Sequence, residues 1–354
     1  MHATGRLISP SLIALALVAA MLLAVAPPSV QAQQSDDHEQ TAGQLITRET
    51  DRSIDRGLAY LAARQHDDGS FGSGGYSRNV AVCALSGMAF MSAGSTPGRG
   101  PYGREVAACV NFIAENTGDN GFISVAESSS HGPMYGHGFA TLFLAEAYGM
   151  SQRRDIREKL ALAVELIVST QNKDGGWRYQ PQKKDADLSV SVCQIMALRA
   201  ARNAGISVPR ETIERCIAYV KKSQNADGGF MYMVQGGQSA FPRSAAGVVA
   251  LYSTGIYEGK EVTTGIDYLM EFIPRRDAFH RESHYYYGHY YAVQAMWHAG
   301  GDKWKKWYPA IRGAMMARQR EDGSWMDSIC PEYGTAMGCI VLQMPNNYLP
   351  IFQR

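Results

Sequence analysis

Three stretches of the 354-residue chain hold most of the side chains that could do chemistry. Asp185-Ala186-Asp187 sets two carboxylates two residues apart, just before an apolar run. Asp187 there could act as an acid, and it equally suits the N-cap of the helix that follows. The run His284-Tyr285-Tyr286-Tyr287-Gly288-His289-Tyr290-Tyr291 is the densest aromatic stretch. Its members, His284, Tyr287, His289 and Tyr290 among them, could stabilise a cation or stack on a sugar, or could simply fill core space. His131 and His137 flank a glycine-rich loop with Tyr135 and could join His284 or His289 as metal ligands or proton shuttles, or hydrogen-bond at a rim. Arg243, Glu332 and Tyr333 each sit at the start of a further apolar run. Glu332, Asp187 or a His–Tyr pair could supply the acid and base of glycan cleavage, which needs two groups at a defined separation.

Other chemistries find no pattern. No His-x-x-x-His or His-Glu-x-x-His spacing supports a metal site, and there is no Gly-x-Ser-x-Gly elbow or phosphate loop. None of Cys83, Cys109, Cys193, Cys216, Cys330 and Cys339 lies in a thioester motif, and their pairing cannot be read from spacing. The sequence therefore predicts no cofactor and no metal.

What must position these residues is a repeat. Gln171-Asn172-Lys173-Asp174-Gly175-Gly176-Trp177 returns as Gln65 to Phe71, Gln224 to Phe230 and Gln319 to Trp325, with Asp119-Asn120-Gly121-Phe122 as a weaker copy. Each copy stops an amphipathic helix, its glycine supplying positive φ, and its aromatic is expected to staple neighbouring units together. Phe71, Phe122, Trp177 and Phe230 follow at intervals of 51–55 residues, and Trp325 comes 95 later. That last gap spans two periods, so a fifth unit lacks the staple and the units number six.

Each unit reads as a charged-faced helix, the motif, a loop, and a second helix that is apolar on most sides. The first kind includes Arg153 to Thr170, Arg210 to Ser223 and Trp304 to Arg318, with Pro209 and Pro309 placed in first turns. The second kind includes His137 to Tyr148, Ser189 to Ala204 and Tyr290 to Ala299. Helices apolar all round belong inside, so the prediction is an outer ring around a buried inner ring.

Composition and termini complete the outline. Hydrophobic residues make up 45% and charged residues 19%, and the formal net charge is +1, which argues against nucleic acid. Residues 1–32, with Arg6, an apolar segment from Leu12 to Ala26 and Val30-Gln31-Ala32, read as a signal peptide, the alternative being a retained anchor. Residues 33–48 read as a disordered polar leader. Residues 49–354 form the folded domain, no later segment is expected to span a membrane, and the protein is expected to be secreted or periplasmic. Pro345 to Phe352 is expected to lie as an extended strap.

The Gln-x3-Gly-x-Trp pattern at Gln171 to Trp177 and Gln319 to Trp325 resembles the repeat of squalene and oxidosqualene cyclases and of protein prenyltransferase β-subunits. The resemblance covers about residues 50 to 345 and implies an all-α, single (α/α)6 toroid of six helical hairpins. It places the residues before the inner helices at one mouth of a central cavity. Class II terpene cyclases carry Asp-x-Asp-Asp-Thr-Ala at an inner-helix start. Asp185-Ala186-Asp187-Leu188-Ser189-Val190 is similar, which implies Asp187 as proton donor to an alkene, with Asp185 beside it. Leu188 departs from that pattern. Against the prenyltransferase zinc site, Asp187 and Gln194 match, but Ser189 replaces the thiolate and Arg243 the histidine, so zinc is not implied.

Three functions follow as expectations: acid-initiated isoprenoid cyclisation with Asp187 as donor and Tyr135, Tyr287, Tyr290 and Tyr333 as walls; a non-catalytic toroid holding an isoprenoid lipid, a peptide or a partner protein; and a polysaccharide lyase or hydrolase.

Overall fold

The computed structural model describes His2 and residues 42–151, 153–275 and 283–353. The expected signal peptide, His2 apart, and leader residues 33–41 lie outside the described residues. The later part of the expected leader is structured: Ala42–Leu45 forms a 3-10 turn, and the Leu45 carbonyl accepts a hydrogen bond from Arg312.

Twelve α-helices, and no strand, are found among the described residues. The odd-numbered helices are α1 (Arg48–Ala62), α3 (Gly103–Glu115), α5 (Arg154–Thr170), α7 (Arg210–Lys222), α9 (Lys260–Met270) and α11 (Gly301–Arg318). The even-numbered ones are α2 (Val80–Ser92), α4 (Pro133–Ser151), α6 (Leu188–Asn203), α8 (Phe241–Ser253), α10 (Tyr285–Ala299) and α12 (Pro331–Gln343). Each even helix packs on the next, α2 on α4 through to α12, and α12 packs back on α2. They are the inner ring, buried on nearly every side, while each odd helix buries one stripe and presents charge outward. The expected (α/α)6 toroid of six hairpins is the observed fold, with α9 and α10 as the unit that lacks the motif.

The motif explains how the ring is tied. The Nε2 of Gln65, Gln171, Gln224 and Gln319 donates to the carbonyl four residues on, at 2.9–3.1 Å. The same nitrogen donates to a carbonyl near the start of the next outer helix: Glu105, Thr212, Glu261 and, for Gln319, Ser53, at 2.8–3.0 Å. Gln319 thus joins the last unit to the first. The glycine in each copy faces that same helix. At Gly175 (φ +96°) a Cβ would stand 2.2 Å from the Arg215 carbonyl oxygen. Gly175→Ala should therefore cost at least about 2 kcal/mol, from left-handed backbone strain and displaced helix packing together. Chemical denaturation measures this, and a cost under 0.5 kcal/mol would refute the close-approach argument.

Three details depart from the expectation. Inner helices begin up to five residues earlier than periodicity suggests, so Tyr135, Tyr287 and His289 lie within helices. Pro309 lies in the middle of α11 rather than in its first turn, because the helix already starts at Gly301 after the left-handed pair Gly300 and Gly301. The C-terminal segment is not extended: Met344–Asn346 and Pro350–Phe352 are 3-10 turns, short helices whose first positions tolerate proline.

That segment seals one end of the ring. Leu349, Ile351 and Phe352 are buried. Asn346 Nδ2 donates to the Ser92 carbonyl at 3.2 Å, Gln343 Nε2 to the Ala89 carbonyl at 3.1 Å, and Arg199 to the Gln353 carbonyl at 2.5 Å. Ile351 N–H donates to Glu146 Oε2 at 3.3 Å. All four anchors sit toward the C-terminal ends of inner helices, so the seal lies opposite the mouth formed by their N-termini.

Candidate functional site

At that open mouth the N-termini of the inner helices surround a cavity of about 760 Å³. Its size falls within the range of small-molecule sites. Tyr135, Arg243, His284, Tyr287 and Tyr333 line it, together with Asn79, His131 and Ser189. Phe139 and Val82 lie deeper in the lining, and Tyr290 backs Phe139 edge-on at 6.1 Å.

Aromatic residues that periodicity alone did not single out complete the wall. Tyr179 and Tyr232 stand two residues after the staples Trp177 and Phe230, where an extended backbone turns alternate side chains to opposite sides. The staple enters the core and the next-but-one residue faces the mouth. Val125 after Ile123 and Asp327 after Trp325 follow the same rule. Staple-plus-two is the sequence signal that would have found them. The Tyr179 and Tyr232 hydroxyls hydrogen-bond to each other, Tyr135 lies 6.2 Å from Tyr179 between ring centroids, and Tyr287 Oη donates to the Ser189 carbonyl at 2.9 Å. Burial, with the Asp187 charge behind, pushes the Tyr135 and Tyr232 hydroxyls well above the ordinary phenol range, so they stay neutral donors.

Four residues expected at the mouth lie elsewhere. His137 is fully buried: its Nδ1 accepts from the Ile123 N–H at 3.3 Å and its Nε2 donates to the Ala163 carbonyl at 3.3 Å. It does for Ile123 what the Ser191 and Ser244 hydroxyls do for the Trp177 and Phe230 N–H groups, at 2.9 and 2.8 Å. Ile123 rather than Phe122 is therefore the staple of the second unit. Burial pushes His137 down to about 4, which keeps it neutral. His289 packs among Phe241, Tyr285 and Trp307. Tyr290 is buried below the cavity, and Glu332 is buried where Ser73 Oγ donates to its Oε2 at 2.8 Å.

Asp185 and Asp187 stand behind the wall rather than in it. Asp185 is half-exposed and paired with Arg178. Asp187 has no exposure and is the N-cap of α6, its Oδ1 accepting from the Val190 N–H at 2.9 Å. Its Oδ2 is buried without a hydrogen-bond partner, 3.9 Å from Arg178 Nε. Burial raises the Asp187 carboxyl to about 6, against the pull of the Val190 N–H, Arg178 and the nearby Tyr232 hydroxyl. Asn79 holds the matching place before α2 and leaves nothing buried and bare: its Oδ1 accepts from Ala81 and Val82, and its Nδ2 donates to Ser128 and Ser129.

A carboxyl whose folded value exceeds its unfolded one favours folding at low pH and loses that contribution as pH rises from about 4 through 6. Asp187→Asn keeps the cap and removes the buried charge, so it should stabilise the protein by about 2 kcal/mol at pH 7 and by almost nothing at pH 4. Urea unfolding at both values tests this, and an equal effect at the two would count against a buried ionised carboxylate.

Among the described residues, no group of three or more His, Cys, Asp or Glu side chains is placed to hold a metal ion. No helix among them is long and apolar enough to cross a membrane.

Comparisons with known proteins agree with this architecture. A search of curated protein sequences returns no match. Among solved structures, the type II terpene cyclase MstE from Scytonema superposes with a TM-score of 0.59 at 14% identity, over 85% of this chain and 99% of that one. An inactive variant of an α-1,6-mannanase of Salegentibacter sp. HEL1_6, in complex with α-1,6-mannotriose, superposes at 0.62 and 8% identity, over 84% and 99%. A protein from Actinoplanes does so at 0.56 and 16%, over 84% and 99%. At such identities the likeness is one of fold, and that fold carries both terpene cyclases and mannanases. The profile of the prenyltransferase α-α toroid domain matches residues 44–162 and 156–276, through the motif-bearing units that build the ring. The chain belongs to the prenyltransferase α-α toroid domain family.

Proposed function

We propose that this toroid binds an isoprenoid-type hydrocarbon chain in its mouth cavity, without a catalytic step. The observation that carries the reading is a cavity of about 760 Å³ with Tyr135, Tyr179, Tyr232, Phe241, Phe272 and Tyr287 in its lining, in which Asp327 is the one carboxylate among the described lining residues. The aromatic part of that lining is the surface a hydrocarbon chain packs against. A glycosidase needs two carboxylates across the cleaved bond, which makes glycan hydrolysis the weaker reading. A variant of MstE has been solved in complex with its substrate geranylgeranyl dihydroxybenzoate, held by the same fold. The apolar segment Leu12 to Ala26 supports export, so the protein would meet its ligand outside the cytosol.

Titrating residues 33–354 with farnesol and geranylgeraniol, followed by tyrosine and tryptophan fluorescence, tests the reading. Saturable binding is expected, weakened at least tenfold by Tyr179→Ala or Tyr232→Ala. Binding that is absent, or indifferent to both substitutions, would sink it.

A second reading, acid-initiated cyclisation, is favoured by one feature: Asp187 keeps its proton up to about pH 6 and its Oδ2 lacks a hydrogen-bond partner. Since Asp187 stands behind the wall, its proton would have to reach an alkene through the Tyr232 hydroxyl, which would give up its own proton and take that of Asp187. Gas chromatography with mass spectrometry of polyprenyl substrates incubated with the protein and with Asp187→Asn decides it. A cyclised product that vanishes in the variant would make the protein an enzyme, and its absence from both leaves the binding reading.

A further inference from the structure

The cavity is two-sided, and the ring order shows how. Units 6, 1 and 2 are consecutive around the closed ring, and their loops bring Ser124, Ser128, Ser130, His131, Asp327 and Ser328 to one wall, with Val80, Val125 and Ile329 between them. Units 3, 4 and 5 bring Tyr179, Tyr232, Phe241, Phe272 and Tyr287 to the facing wall. Tyr135 and Tyr333 continue the aromatic surface at its two edges. Ser189, Arg243, Ser283 and His284 interrupt the aromatic side; Arg243 Nε donates to the Phe230 carbonyl at 3.0 Å and one of its terminal nitrogens to the Gln238 carbonyl. A hydrocarbon alone would leave the serine wall idle.

The chemistry of that wall narrows the partner. It holds a carboxylate and serine hydroxyls, and no lysine or arginine among the described lining residues of those three units. Asp327 spends Oδ1 on the Ile329 N–H at 2.9 Å and a long contact from Ser328 Oγ at 3.4 Å. Its other oxygen is left as a charged acceptor. Tyr76 and His131 add aromatic surface on the same side: their rings are near-parallel, 5.9 Å apart and 12° from parallel, joined by a 2.8 Å hydrogen bond between Tyr76 Oη and His131 Nδ1. A carboxylate repels a phosphate or carboxylate head, while hydroxyls in series satisfy a carboxylate and serines together. Flat aromatic surface beside such acceptors suits the apolar face of a sugar ring.

We infer that the ligand is an amphiphile whose neutral, hydroxyl-rich head, a sugar or polyol, sits against the wall of units 6, 1 and 2 while its isoprenoid-type chain lies against the tyrosines of units 3 to 5. This rests on the hydrocarbon-binding reading and adds the head group to it. The Asp327 carboxylate of that wall disfavours a prenyl diphosphate head there.

One chain with four heads provides the test. Farnesyl β-D-glucoside, farnesol, farnesyl diphosphate and farnesylamine are titrated against residues 33–354 below their micellar concentrations. The glucoside is expected to bind at least tenfold more tightly than farnesol and more tightly than the diphosphate or the amine. Asp327→Ala and His131→Phe are each expected to bring the glucoside-to-farnesol ratio to threefold or less, and the two sites are independent should one variant fold poorly. Farnesol binding as tightly as the glucoside overturns the head-group inference and leaves the hydrocarbon reading standing. Tighter binding of the diphosphate or amine also overturns it, as does a ratio unmoved by both variants. If none of the four binds, the hydrocarbon reading falls and takes this inference with it.

Discussion

Trp325→Ala is expected to destabilise the protein by about 5 kcal/mol, close to the whole stability of a typical domain. The side chain is fully buried, its Nε1 donates to the Met315 carbonyl at 2.8 Å, and its six-membered ring sits where a Cβ on Gly57 would come within 2.7 Å. Gly57 belongs to α1, so this staple closes the ring between the last unit and the first. Removing it leaves a cavity worth about 3–5 kcal/mol and an unpaired buried carbonyl worth about 1–3 more. Trp325→Phe keeps most of the volume, loses the hydrogen bond, and should cost about 2 kcal/mol. Urea unfolding followed by circular dichroism separates the two. Equal costs for alanine and phenylalanine would mean that packing against α1 is not what matters.

Glu146→Gln should make the protein nearly insensitive to alkaline pH at the sealed end of the ring. Burial raises the Glu146 carboxyl from 4.5 to about 8, against the pull of the Ile351 N–H and the Arg199 charge. The folded state therefore holds this proton where the unfolded chain has released it. Its contribution to stability is complete below about pH 4.5, declines as pH rises, and is gone above pH 8, a total of about 4 kcal/mol. Glutamine can still accept from the Ile351 N–H and carries no charge. The variant should match the wild type near pH 4.5 and exceed it by about 3 kcal/mol or more at pH 8. Unfolding free energies at the two pH values check this. A difference between the proteins that does not grow with pH would mean that Glu146 is ionised in the fold.

Much of the architecture was legible because the motif encodes both a stop and a tie. Gln171 to Trp177 names the end of α5, the turn and the staple in seven letters, and the double interval before Trp325 gives away the unit that lacks them. Helix starts were less legible. Inner helices are apolar in the ring and aromatic at the mouth, so Pro133 to Gly136 and Tyr285 to Gly288 read as loop although they are already helical. Tyr179 and Tyr232 were within reach, since they follow their staples at a fixed step of two. His137 was also within reach: it follows Ile123 by the fourteen residues that separate Trp177 from Ser191 and Phe230 from Ser244. What spacing could not give is which way a carboxylate turns. Asp187 reads alike as cap or as acid, and only the surroundings of its second oxygen distinguish a bare, buried atom from a solvated one. Glu146 reads as one polar residue in an apolar helix, because its partner Ile351 lies 205 residues away.

The tie between Gln319 and Ser53 carries a consequence for how such a chain can change. An open solenoid can gain or lose a unit at its end and keep every other interface, so its length is free to drift. A ring that closes on itself has no end at which to do so. Dropping the α9–α10 hairpin would leave α8 facing α12 across a gap and break the seam between Trp325 and Gly57. Its number is therefore fixed even where its letters are not, which explains how the fifth unit can lack the motif's glutamine and glycine and still be kept. Selection on such a fold acts on the count of hairpins before it acts on the motif that announces them.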